Sequence, residues 1–197
     1  MVKGQHYYTQ VARLHAQGIK QGFLSSLGED FLTLLYESID EQADAVLLTE
    51  SVNGSVVGFV SGSQSLIPIY GRLLLKLPRL IGALAPTLLK PRKIYKILEL
   101  LSHSLKTAAN QGSDKPLPEF ELLSIAVDVS QRRNGVAQRL YYQLKRYARD
   151  NKVTAFKILV GEDLASAHKF YLAMGASLVA EHKVHGDKRS LVYVQQQ

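Results

Sequence analysis

One stretch constrains this chain more than any other: Leu122-Leu123-Ser124-Ile125-Ala126-Val127, the turn Asp128 to Gly135, and then Val136 to Tyr147. The first run is apolar, contains β-branched residues and reads as a buried strand. Beyond the turn, apolar residues at positions 136, 140, 144 and 147 recur at helical spacing. A strand therefore passes into a helix through a loop holding Arg132, Arg133, Asn134 and Gly135. Such a junction suits a phosphate. The first turn of a helix has N–H groups without intrahelical partners, and the helix dipole adds partial positive charge there. Gly135 lacks a Cβ that would hold an anion off, and Ala137 is small for the same reason. Arg132 and Arg133 can add charge-assisted hydrogen bonds. The competing reading of these residues alone is a basic turn capping a surface helix.

The flanking pattern is mixed α/β. Residues 7–19 and Glu29 to Ile39 have helical periodicity, separated by a break from Gly22 to Gly28. Ala45–Val52 and Ser55–Gly62, joined by Asn53-Gly54, read as a β-hairpin. Thr154–Val160 reads as a strand and Asp163–Met174 as a helix, followed by closing strands over 176–180 and 189–194. The segment 66–118 stands apart: Pro68, Pro78, Pro86 and Pro91 cut it into short pieces. Pro91 is a candidate start for a helix reaching Ala109, and residues 110–116 read as a loop. The 197 residues form a single domain with this basic, leucine-rich insertion.

The spacing Arg132-x-x-Gly135-x-Ala137 resembles the R/Q-x-x-G-x-G/A signature of the GCN5-related N-acetyltransferases, the GNAT family. A second motif of that family, N-x-x-A-x-x-[LF]-Y followed by G-F, is matched at Ala167, Phe170, Tyr171 and Gly175. Leu164 replaces its Asn, and Ala176 replaces the aromatic after the glycine. The resemblance implies an α/β fold with one twisted, mostly antiparallel sheet that opens into a V between its two central strands. A first strand precedes the first helix in that family, and residues 1–6 are a poor match for it.

The resemblance also implies chemistry. It makes acetyl-coenzyme A the co-substrate, and the activity direct transfer of acetyl to the primary amine of a small molecule, such as an amino sugar or its nucleotide-linked form. The pyrophosphate would lie on Arg132, Arg133, Asn134, Gly135, Val136 and Ala137. Backbone groups of Ile125, Ala126 and Val127 would hold the pantetheine arm and polarise the thioester carbonyl. Tyr171 matches the family's general acid. Glu119 and Glu121, placed on one face by strand alternation, are candidates for the general base. His168 reads as a solvated helix residue. A non-catalytic relative that binds coenzyme A or a membrane surface is the alternative, which the missing Asn at 164 permits.

Composition removes several other classes. The chain has no cysteine, so disulfides, thiolate metal sites and a cysteine nucleophile are excluded. No metal is expected: His182-x-x-His185 is not a zinc-protease motif and reads as strand-end histidines. Neither a P-loop nor a G-x-S-x-G elbow is present. The N-terminus has no apolar signal region, so the cytoplasm is the expected location.

The net charge of +7 is concentrated between Arg72 and Lys106, where eight Lys/Arg face a single acid, Glu99. Those cations alternate with leucine and isoleucine rather than with stacking aromatics, which argues against nucleic acid. Three expectations remain for the insertion: helices with their cations facing water, a wall of the acceptor cleft, or peripheral contact with an anionic membrane. A homodimer is a further partner left open at this stage.

Overall fold

The computed structural model describes residues 3–19, 24–88, 117–183 and 189–197. Two helices come first, α1 (Gln5–Gly18) and α2 (Glu29–Asp40). Among the described residues no strand precedes α1. The hairpin follows as β1 (Ala45–Val52) and β2 (Ser55–Ser63). Asn53 (φ 51) and Gly54 (φ 79) both adopt the left-handed conformation. A two-residue turn needs this to match the twist of the paired strands, which is why Asn-Gly marks it. Then come α3 (Ile67–Leu75), α4 (Leu77–Leu88), β3 (Glu121–Val127), α5 (Val136–Asp150), β4 (Ala155–Gly161), α6 (Ala165–Ala173), β5 (Ser177–Lys183) and β6 (Arg189–Gln196).

The six strands form one sheet in the order β1-β2-β3-β4-β6-β5. Only the β3–β4 pair is parallel. Across β2 and β3 the register runs from Gly58↔Val127 to Ser61↔Ser124 and then jumps to Gly62↔Leu122, leaving Leu123 as an extra residue. Such a bulge bends its strand and adds twist. Its effect is visible on the other side of β3. That strand meets β4 only at Glu121↔Lys157 and Leu122↔Ile158, while β4 pairs with β6 along its length from Ala155↔Gln196 to Gly161↔Ser190. The sheet therefore opens between its central strands beyond Leu122.

Each face of the sheet carries a core. On one, α1 and α2 bury Val11, Leu32, Leu35 and Tyr36 against Leu47, Phe59 and Ala126. His15 joins this apolar layer with Nδ1 2.5 Å from the Tyr36 hydroxyl, and burial lowers its pKa to about 4, so the ring is neutral. On the other face, α5 buries Leu140, Tyr141 and Leu144 against Phe120, Phe156 and Ile158. The start of α5 lies so close to β2 that a Cβ on Gly58 would sit 2.8 Å from Val136 Cγ1 and 3.0 Å from Leu140 Cδ1.

The insertion departs from its sequence reading in three respects. Pro68 and Pro78 begin helices instead of interrupting them, because a first-turn residue has no intrahelical N–H partner to lose. Helix α4 continues through Pro86 to Leu88. Its cations do not all face water: Lys76 and Arg79 are ion-paired with α2. The expected helix from Pro91 to Ala109 and the loop over 110–116 lie outside the described residues.

Gly58→Val should destabilise the protein by about 1–3 kcal/mol through overpacking against α5. Urea unfolding monitored by circular dichroism checks this, and an unchanged midpoint would refute the close approach.

Candidate active site

The opening between β3 and β4 is lined by backbone. The Asp128 N–H donates to the Val57 carbonyl at 2.8 Å, which fixes the alternation along the antiparallel β2–β3 ladder. Ala126 is then the bonded partner of Phe59. Val127, opposite Gly58, and Ile125, opposite Val60, turn their N–H and C=O groups away from β2 into the gap. The expectation that Ile125, Ala126 and Val127 all offer backbone groups there is corrected: Ala126 is committed to the ladder.

At the wide end of the gap, β3 runs into the loop before α5. Asp128 Oδ1 accepts hydrogen bonds from the Ser130 N–H (2.8 Å) and hydroxyl (2.6 Å), and these hold its carboxyl below the usual carboxylate range. Arg133 (φ 66) and Gly135 (φ 74) are both left-handed, which turns the chain sharply into the helix. The first helical bond runs from Arg139 N to Gly135 O at 3.0 Å, and no side chain caps the terminus. The N–H groups of Val136, Ala137 and Gln138 thus have no intrahelical partner. Arg132, Arg133 and Asn134 are exposed around this end. Arg139, which the sequence reading did not single out, folds back so that Nη1 donates to the Asn134 carbonyl at 2.9 Å. Its i+4 position from Gly135 was the available signal: it stands one turn above the loop.

The second motif forms α6. Tyr171 is buried, with ring centroids 6.1 Å from Tyr141, 5.3 Å from Phe170 and 6.2 Å from Tyr193. Burial pushes its phenol well above the ordinary value. Its hydroxyl has no hydrogen-bond partner among the described residues. The backbone behind it is locked: Ala176 N–H donates to the Tyr171 carbonyl at 3.0 Å, and Gly175 N–H to that of Leu172 at 3.0 Å. This paired closure requires a left-handed residue at 175, and Gly175 has φ 88. Ala176, where the family motif has an aromatic, is buried in the same core.

Two other motif positions behave differently. Leu164 stands at the N-cap of α6, 40% exposed and unable to cap. His168 is not the solvated residue expected. Its Nε2 donates to the carbonyls of Gly161 (3.0 Å) and Glu162 (3.2 Å), and its Nδ1 lies 2.9 Å from the Tyr193 hydroxyl. It ties α6 to the end of β4 and to β6, so neither ring nitrogen is left for a substrate. Of the other histidine pair, His185 lies outside the described residues.

The two candidate carboxylates have different surroundings. Glu119 precedes β3, is exposed, and accepts a hydrogen bond from Gln64 Nε2 at 3.0 Å. Glu121 lies at the closed end of the gap, half-buried, directly across from Lys157, whose Nζ is 3.9 Å from Oε2. Burial pushes the Glu121 carboxyl up, and the lysine charge pulls it part of the way back.

A sheet split between parallel central strands, with an uncapped helix N-terminus at the open end, is a specific arrangement. The sequence model of the acetyltransferase (GNAT) family matches residues 96–176. The match spans less than half of the chain, and the chain as a whole has the fold of solved acetyltransferases. Acetyl transfer from acetyl-coenzyme A is the chemistry of that family. A ribosomal-protein-S18-alanine N-acetyltransferase from Escherichia coli is similar over 100% of this chain and 91% of its own, at 10% identity and TM-score 0.58. An N-acetyltransferase from Staphylococcus aureus Mu50 covers 100% and 96%, at 13% identity and TM-score 0.60. A Bacillus anthracis protein assigned as a streptothricin acetyltransferase, solved with acetyl coenzyme A, covers 82% and 68%, at 12% identity and TM-score 0.51. No curated protein matches the chain.

Leu164→Asn should stabilise the protein by about 1 kcal/mol, because the amide oxygen can accept from the first-turn N–H groups of helix α6. Thermal denaturation checks this, and a lowered melting temperature would refute it.

Proposed function

We propose that this protein moves acetyl from acetyl-coenzyme A to the primary amine of a small molecule, with Tyr171 as general acid and Glu121 as general base. The observation that carries the reading is the β3–β4 gap, bounded by the free backbone groups of Ile125 and Val127, with three unpaired N–H groups at its open end. The parts fit the coenzyme in order. Val136, Ala137 and Gln138 N–H groups, with Arg132 and Arg133, meet the pyrophosphate. Asn134 and Gly135 supply the turn that brings them close. The Ile125 and Val127 backbone would bond the pantetheine amides and polarise the thioester carbonyl.

Glu121 is favoured over Glu119 as the base because it stands where the strands converge and is partly withdrawn from water. It would take a proton from the amine as the nitrogen bonds to the carbonyl carbon. The carbon–sulfur bond then breaks, and Tyr171 gives its phenolic proton to the departing sulfur. A phenol above its ordinary value stays protonated at neutral pH and remains available as a donor. Burial destabilises the thiolate as well as the phenolate, so the proton affinities of both partners rise together. The family resemblance suggests a small amine such as an amino sugar or its nucleotide-linked form as the acceptor, and the proposed location is the cytoplasm. Leu164 favours a second reading, coenzyme binding without turnover, because the motif's Asn side chain is missing there.

Acetyl-coenzyme A at a hundred times its dissociation constant should add about 2.7 kcal/mol of stability. For a domain of this size the melting temperature rises on the order of 5–10 °C. No shift at millimolar coenzyme would sink the binding reading.

Tyr171→Phe should lower kcat by about 10²–10⁴-fold while leaving that thermal shift in place. Equal rates in both proteins, followed by thiol release over a panel of amines, would remove Tyr171 from the chemistry.

Ionised Glu121 is the active form, so the rate falls as pH drops through a pKa that burial has raised. Glu121→Gln should abolish this acid limb. Lys157→Met removes the charge that opposes the shift and should move the limb to higher pH. A pH–rate profile unaltered in both variants would eliminate Glu121 as the base.

A further inference from the structure

The loop before α5 holds a conformation that its own residues do not favour. Arg133 has φ 66. A side chain in the left-handed region costs free energy, and such a residue persists where its surroundings over-determine it. The Asn134 side chain contributes one long hydrogen bond to Gln131, Nδ2 to Oε1 at 3.4 Å. A stronger restraint comes from the helix that follows. Arg139 Nη1 donates to the Asn134 carbonyl at 2.9 Å, and it lies so close that a Cβ on Gly135 would sit 3.3 Å from it. A trans peptide carries its C=O and N–H on opposite sides. Gripping the Asn134 carbonyl therefore also sets the direction of the Gly135 N–H, which has no backbone partner among the described residues.

Arg139 is held in turn by another element. Glu50 Oε1 on β1 lies 3.7 Å from Arg139 Nε and accepts from Gln143 Nε2 at 2.6 Å. Arg139 and Gln143 are one turn apart on the same face of α5. Glu50 stands opposite Gly58, the residue whose missing side chain lets the start of α5 come down on the sheet. Its side chain is 22% exposed against 53% for Arg139, so the carboxylate is the more enclosed end of the pair. By charge alone, a carboxylate near an anion site opposes binding. Its contacts give it a different role. Taking the loop as the pyrophosphate site proposed above, we infer that Arg139 and Glu50 are positioning residues for the coenzyme: Glu50 anchors the guanidinium, and the guanidinium keeps the loop in shape before the ligand arrives. A preorganised loop binds more tightly because less ordering is left to the binding step.

Calorimetric titration of the full chain with coenzyme A and with dephospho-coenzyme A, which lacks only the ribose phosphate, tests this. Arg139→Gln should weaken both about three- to tenfold and by the same factor, since both keep the pyrophosphate. Arg139→Lys keeps the charge but not the fork that reaches Asn134 and Glu50 at once, and should bind as weakly as Arg139→Gln. Glu50→Ala gives the sharpest contrast. Removing a negative charge near an anion site tightens binding by electrostatics alone, whereas loss of the anchor should loosen it about threefold. In the ligand-free protein, the amide order parameters of Asn134 and Gly135 should fall in Arg139→Gln while that of Leu144 is kept. Tighter binding by Glu50→Ala, or full affinity in Arg139→Lys, would overturn the proposal. A loss confined to coenzyme A would do the same, since Arg139 would then contact the ribose phosphate directly, and so would an equal fall in all three order parameters, which marks a general loosening of α5. Unmodified protein that binds neither ligand would overturn the coenzyme reading together with this one; unmodified protein that binds, with variants that bind equally well, would overturn this one alone.

Discussion

The gap between β3 and β4 exists because two hydrogen-bonded ladders compete for the middle of one sheet. Strand β3 follows β2 through the bulge at Leu123, while β4 remains with β6 along its full length. Each strand satisfies one edge completely, and the two central edges then diverge after Leu122. In a closed sheet the Ile125 and Val127 groups would be consumed by a ladder. The divergence leaves them as unmet donors and acceptors, which normally cost free energy when withdrawn from water. A ligand with amides at matching intervals would relieve that cost.

Around the gap, burial and charge are placed unequally. The open end carries Arg132 and Arg133 and an uncapped helix terminus, where an anion loses little by leaving water. The surroundings of Tyr171 on α6 are instead apolar and aromatic. Tyr171 lies among Tyr141, Phe170 and Tyr193, and its phenol is pushed up accordingly. Glu121 is pushed in the same direction but restrained by Lys157 across the strand pair. The loop before α5 is thus exposed and basic, whereas Tyr171 and Glu121 are withdrawn from water.

The insertion follows a different rule. Its described helices are attached to α2 both by apolar side chains, Ile69 and Leu73 above all, and by the ion pairs of Lys76 and Arg79 with Glu37 and Glu41. Beyond that buried stripe, Leu74, Leu75 and Ile81 are exposed. Composition alone reads as basic and leucine-rich; only the fold shows which of these side chains are buried and which are exposed.

The sequence by itself determined the order of elements and the loop chemistry. Asn53-Gly54 set the hairpin, Gly135 and Gly175 set left-handed turns at the ends of two helices, and helical spacing through Tyr147 set α5, because these are local preferences of backbone and side chain. Tertiary structure decided the remainder. Which of Ile125, Ala126 and Val127 faces the gap depends on strand register, and register depends on the bulge at Leu123, which no local pattern announces. His168 is clamped by Tyr193, 25 residues away, and Glu121 is tuned by Lys157 across a parallel pair. Lys76 meets Glu37 and Glu41 only because α4 lies on α2. Local propensity acts through neighbours in the chain, whereas a shifted pKa, a freed backbone group or a cross-helix ion pair depends on what folding brings beside it.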